Sequence, residues 1–107
     1  MKKFEISPSD LKKKINAQVD ILILDVREPF EYEICRIPNS VLIPLGQLPN
    51  RLTEIDSNKE IIIHCHRGNR SKIALKILRQ KGFTNVKHLA GGIDAWASKI
   101  NKSLTRY

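Results

Sequence analysis

The chain has 107 residues, 41% of them hydrophobic, and a formal net charge of +8. That length suits a single domain over 1–107 with one core. No apolar run reaches membrane-spanning length, and the opening MKKFEISPSD lacks a long apolar stretch after its lysines. Neither a membrane span nor a secretory signal is therefore expected, and the expected location is the cytoplasm. Two cysteines, Cys35 and Cys65, are too few for a disulfide framework and are expected to be thiols. The positive charge favours anionic substrates or acidic protein partners. No recognisable nucleic-acid module accompanies it, so nucleic acid is not the expected partner.

In chain order, Phe4 to Ile6 suggests a short strand, and SPSD a helix start with Ser7 as N-cap and Pro8 at the first helical position. That helix places Leu11 and Ile15 inward. ILILDV, Ile21 to Val26, is a continuous apolar run, the pattern of a buried parallel strand. Pro29 opens a short helix ending near Cys35, and Val41 to Leu45 is a third strand stopped by Pro44. Leu48 to Ile55 is expected to be helical, and Ile61 to Cys65 is a fourth buried strand.

An amphipathic helix follows from Ser71 to Gln80, with Ile73, Ala74, Ile77 and Leu78 on its apolar face and Gly82 as its stop. Asn85 to Leu89 is a fifth strand; AGG then turns into a last helix with Ile93, Trp96, Ala97 and Ile100 at core spacing. The polar tail from about residue 101 is expected to fray. Strands alternating with helices predict an α/β fold around a five-stranded, mostly parallel sheet with helices on both faces. Sites in such sheets form at the carboxyl ends of the strands, where Asp25 and Cys65 both fall.

Cys65 is followed by the short segment HRGNR and then by a helix start. A tight turn there would aim backbone N–H groups inward as an anion-binding nest. The helix N-terminus, Arg67 and Arg70 would add positive charge, all favouring thiolate. Gly68 permits the backbone angles such a cradle needs, and Ser71 can cap the helix or donate into the loop. Metal binding by His64, Cys65 and His66 is not expected. Alternation along a strand turns Cys65 away from both histidines, and no second ligand pair has zinc spacing.

CHRGNRS resembles the active-site loop of rhodanese-type sulfurtransferases, C-x-x-G-x-R-S. ILDVREPFEYEICRIPNSVLIPL and LAGGIDAW resemble that family's N- and C-terminal signatures, and EYEICRIPNS is particularly similar to rhodanese domains fused to adenylyltransferases. The resemblance implies a rhodanese-like fold and a persulfide on Cys65. The thiolate would take the outer sulfur of a small anionic donor such as thiosulfate, and a thiophilic acceptor such as an acidic carrier protein would remove it. No metal or organic cofactor is implied.

By position, Cys65 is the sulfur carrier, and His66, Arg67, Gly68, Asn69, Arg70 and Ser71 form the cradle. Arg67 would meet the donor, and Arg70 would brace the loop against Asp25 or Glu28 or remain a solvated charge. Asp25 and Arg27 are supporting residues, Asp25 equally suited to capping the next turn; His64 could act as a base but is expected to pack beneath the loop, and His88 has no evident partner. Cys35 is expected to be a packing residue near the opposite end of the sheet, a strand length of roughly 16 Å away. The alternatives are a persulfide carrier, a regulatory rhodanese-like binding module, and a phosphatase or arsenate reductase. The last use C-x-x-x-x-x-R loops, one residue longer than Cys65 to Arg70.

Overall fold

The computed structural model describes residues 3–107. In chain order the elements are β1 (Glu5–Ile6), α1 (Pro8–Asn16), β2 (Ile21–Asp25), α2 (Pro29–Ile34), β3 (Val41–Leu42), β4 (Glu60–His64), α3 (Asn69–Gln80), β5 (Val86–Leu89) and α4 (Gly92–Lys99). All pairings are parallel, in the order β1-β5-β4-β2-β3. The five-stranded α/β sheet is thus as expected.

Strand alternation divides the core into two layers. Leu24, Val26, Ile61, Ile63, Cys65 and Val86 pack with Ala74 and Leu78 of α3. Ile6, Ile23, Ile62 and Leu89 pack on the other face with Leu11 of α1 and Ile93 and Trp96 of α4. Ser7 caps α1 as expected, its hydroxyl accepting the Asp10 N–H at 3.1 Å.

Several local expectations are corrected. Val41 to Leu45 forms only two residues of regular strand. Ile43 and Leu45 still donate to the carbonyls of Asp25 and Val26, but Pro44 between them has no N–H to give. The helix expected at Leu48 to Ile55 is two 3₁₀ segments, Leu45–Asn50 and Leu52–Glu54, the first containing Pro49. α3 starts two residues early, at Asn69. Its buried stripe is Ser71, Ala74 and Leu78, while Ile73 is 53% exposed. At 100° per residue Ile73 lies about 200° from Ser71, so fixing Ser71 toward the sheet turns Ile73 to solvent.

The AGG turn brings α4 against the backbone around Cys65. Ile93 N–H donates to the Cys65 carbonyl at 2.9 Å and Asp94 N–H to the His66 carbonyl at 3.0 Å. A Cβ on Gly92 (φ +63°) would stand 2.7 Å from the Cys65 oxygen and 2.6 Å from the His66 carbonyl carbon, so only glycine allows this approach.

The tail does not fray. It turns back along α4, with Arg106 paired to Asp94 at 3.1 Å, and places the Tyr107 ring flat on His66, centroids 3.9 Å apart and planes 7° from parallel. The Tyr107 hydroxyl accepts from Arg27 Nη1 and donates to Glu31 Oε2, both at 2.8 Å. Residue-by-residue polarity hides this, because the anchoring ring lies beyond a polar stretch and its partners are distant in sequence.

Two stability predictions follow from these contacts. Tyr107→Ala removes a ring contact and two hydrogen bonds to charged groups and is expected to cost about 2–4 kcal/mol; a frayed tail would give almost no change in the thermal midpoint. Gly92→Ala is expected to cost about 2–3 kcal/mol in the same melt, from left-handed strain and the forced retreat of the Cys65–His66 backbone.

Candidate active site

β4 ends at His64, and the chain turns within four residues into α3. Gly68, with φ +119°, is the residue from which α3 departs. This turn folds the first backbone N–H groups of the helix back onto the strand end. Gly68 N–H reaches Cys65 Sγ at 3.1 Å and Ser71 N–H reaches it at 3.3 Å. The Ser71 hydroxyl lies 3.7 Å from the same sulfur and donates to the Gly68 carbonyl at 3.1 Å. Of its two expected roles, Ser71 therefore takes the one within the loop, and Gly68 stands at the helix cap. Cys65 is 1% exposed.

The donors and the helix N-terminus together form a small electropositive cup around one sulfur atom. His66, Arg67 and Asn69 belong to the same turn but not to the inner cup. His66 lies under Tyr107, and Arg67 and Asn69 are exposed on the rim. Cys65 faces α3, whereas His64 and His66 face the other side of the sheet. His64 is fully buried 3.6 Å from Asp25, and burial lowers its pKa, keeping it neutral beneath the loop.

The brace for Arg70 is neither Asp25 nor Glu28 but Glu31. The two side chains form a bidentate pair at 2.6 and 2.9 Å. Glu31 also accepts the Glu28 N–H at 3.0 Å, closing a capping box at the start of α2. The Arg70 guanidinium is the main reason the Glu31 carboxyl is held down at about 2, assisted by Tyr107. A glutamate inside EPFEYEI carries only a helix-start signal; that signal could locate Glu31 at the strand–helix junction but could not pair it with Arg70.

Asp25 and Arg27 form the base of this bracing. Their fully buried side chains meet at 2.8 Å (Arg27 Nη2 to Asp25 Oδ2) and 3.0 Å (Nε to Oδ1), and Asp25 also caps the Arg27 N–H at 3.0 Å. Asp25 thus fills both roles read for it, turn cap and charge partner. The remaining Arg27 donors reach the carbonyls of Glu31 and Cys35 and the Tyr107 hydroxyl. Burial would lower the Arg27 pKa, but the bonds to Asp25 and Tyr107 outweigh it and raise the pKa. Tyr107 is raised to about 12, first by burial, so its hydroxyl keeps the proton it donates to Glu31.

Cys35 is a buried packing residue, but it is not at the opposite end of the sheet. Its carbonyl accepts from Arg27 at 2.7 Å, its thiol lies 3.9 Å from Arg27 Nη1, and it lines one small cleft with His66 and Tyr107. The chain descends less than expected because β3 pairs only with the last two residues of β2, Leu24 and Asp25. Both cysteines are free thiols. His88 also differs from expectation: its ring contacts Ser71 Oγ at 3.5 Å and Glu5 Oε2 at 3.4 Å.

The rhodanese-like domain family matches residues 7–99. The chain is 41% identical over 95 residues to the putative sulfur carrier protein YrkF of Bacillus subtilis, covering 89% of this chain and 51% of that protein. The chain thus spans about half the length of YrkF. It is 36% identical over 93 residues to a sulfurtransferase of Allochromatium vinosum, covering 87% of each chain. Among solved structures, a rhodanese-related protein from Thermoplasma volcanium superposes with a TM-score of 0.82 at 35% identity, covering 90% of this chain and 92% of that one. With the signatures at Asp25–Arg27, Cys65–Ser71 and Gly91–Trp96 lying inside the matched region, the chain belongs to the rhodanese-like domain family, among relatives that include sulfurtransferases and sulfur carriers.

Proposed function

We propose that this protein carries sulfane sulfur as a persulfide on Cys65 and passes it to a thiophilic acceptor. The observation that carries the reading is the cup: the Gly68 and Ser71 N–H groups and the start of α3 converge on one thiol sulfur. The thiolate attacks the sulfane sulfur of a donor, the donor's residue leaves with the bonding electron pair, and the terminal persulfide sulfur takes the negative charge. The same N–H groups then stabilise thiolate and persulfide alike. Similarity to a putative sulfur carrier and to a sulfurtransferase supports this chemistry.

The donor is read as thiosulfate or a persulfide; Cys65 is 1% exposed, so the loop must yield to admit either. Exposed Arg67 on the rim supplies a cation for an anionic donor, and the net charge of +8 suits an acidic carrier or acceptor protein. Phosphatase or arsenate-reductase chemistry fits less well. The Cys65-to-Arg70 loop is one residue short for an oxyanion, and Arg70 turns away into Glu31.

Intact-mass measurement tests the reading. Incubation with thiosulfate, or with a cysteine desulfurase and cysteine, is expected to add one sulfur atom, and cyanide to remove it; Cys65→Ser gains none. Folded wild-type protein that takes up sulfur from neither donor would overturn the proposal.

Glu31→Gln leaves Arg70 weakly anchored and is expected to slow sulfur loading by about tenfold or more. The same variant carries a pH signature. Because the folded Glu31 pKa is depressed to about 2, its stabilising contribution is full above its ordinary value near 4.5 and disappears as pH falls toward 2. The stability gap between wild type and Glu31→Gln should therefore close across that interval in urea titrations.

A further inference from the structure

Below the cup, on the α3 side of the sheet, four side chains from four different elements stand in a row. Cys65 Sγ follows β4; Ser71 Oγ, 3.7 Å away, is on the first turn of α3. His88 Nδ1 on β5 is 3.5 Å from Ser71 Oγ, and its Nε2 is 3.4 Å from Glu5 Oε2 on β1. Parallel register produces the row: His88 stands opposite Ile63, two residues before Cys65, and opposite Glu5 on its other side. Cys65 and Ser71 are 1% and 0% exposed and His88 is 5% exposed, while the Glu5 side chain, at 24%, touches solvent.

We propose that His88, acting through Ser71, is the acceptor for the Cys65 thiol proton, with Glu5 fixing its tautomer and holding its charged form. The proposal rests on Cys65 being the reactive thiol. The groups in hydrogen-bond contact with Sγ are two backbone N–H donors and the Ser71 hydroxyl, and of these only the hydroxyl has lone pairs that can receive a proton. Glu5 favours the tautomer with hydrogen on Nε2, which leaves Nδ1 bare toward Ser71.

In the step, the Ser71 hydroxyl turns its hydrogen from the Gly68 carbonyl to His88 Nδ1 and passes it there, while Cys65 S–H gives its proton to Ser71 Oγ. The S–H electron pair stays on sulfur, and the products are thiolate and imidazolium, the latter's Nε2–H held by the Glu5 carboxylate. When an acceptor later removes the outer sulfur and leaves thiolate, the same route returns the proton. Distances of 3.4 to 3.7 Å suit a resting relay that tightens when the loop moves to admit a donor.

The titratable groups placed against His88 include Glu5 from β1 and, through Ser71, Cys65 from β4. Arg70 on α3 adds its positive field at Cys65. Lys87 and His64 pair elsewhere, with Glu60 and Asp25.

The test follows alkylation of Cys65 by iodoacetamide against pH, located by peptide mapping, which requires no sulfur transfer. His88→Gln keeps a polar contact to Ser71 but cannot take a proton. It is expected to alkylate about tenfold more slowly than wild type near neutral pH and equally fast in strong base, where thiolate forms unaided. Glu5→Gln is expected to fall between the two. In wild-type protein, which avoids any folding defect, the imidazole ¹⁵N shifts of His88 are expected to titrate differently before and after Cys65 is alkylated. Superimposable alkylation profiles for wild type and folded His88→Gln, or a His88 titration unchanged by blocking Cys65, would overturn the relay. An intact relay in a protein that accepts no sulfur would overturn the sulfur-carrying function instead.

Discussion

A guanidinium with no exposure to water must find every partner inside the protein, and Arg27 does so by tying together segments that the sheet alone leaves separate. It takes both oxygens of Asp25 at the end of β2, carbonyls at Glu31 within α2 and at Cys35 at its C-terminal end, and the hydroxyl of Tyr107 from the returning tail. Removing one partner would leave a buried charge incompletely satisfied, a penalty of several kcal/mol. The arrangement is therefore cooperative: α2 is held over the strand ends because Arg27 needs its carbonyls, and Glu31 is held where it can grip Arg70.

Strand alternation puts the residues around the Cys65 cup and those of the Asp25–Arg27 brace on opposite sides of the sheet. Cys65, Ser71, His88 and Glu5 lie on the α3 side. Asp25, Arg27, His64, His66, Cys35 and Tyr107 lie on the other. The two sides meet over the carboxyl ends of the strands at the Arg70–Glu31 pair, and along the loop backbone where Gly92 lets α4 take the carbonyls of Cys65 and His66. Those two carbonyls are bonded away from the cup, so they do not offset the N–H groups facing Cys65 Sγ. The neutral state of His64, imposed by burial, likewise adds no second charge beneath the site.

Different parts of this arrangement carried very different signals in the sequence. The strands at Ile21 and Ile61 were legible because residues buried on both faces are apolar without interruption. The Ser7–Pro8 helix start was legible because capping is local chemistry. The tight turn from Cys65 to Ser71 was legible because a short Gly- and Arg-containing segment between strand and helix has few conformations open to it. Ile73 misled because several apolar residues on α3 offered more than one plausible face, and the choice fell to Ser71 packing on the sheet. Cys35 misled because its distance from the site depended on how deep β3 pairs, a register that no local pattern encodes.

Chain order, the alternation of buried strands with amphipathic helices, and the placing of a single thiol between a strand end and a helix start all follow from near-neighbour chemistry, so the 107 residues carry them without reference to the fold. Partner choice among charged and polar groups belongs to the folded molecule. Arg70 could have met Asp25, Glu28 or solvent, and it meets Glu31; Tyr107 could have been a loose end, and it seals Arg27 and His66; His88 acquires Glu5 and Ser71 only when β1 and α3 flank β5. Such contacts join residues tens of positions apart, and their energies depend on burial, which exists only once the sheet and helices have closed around them.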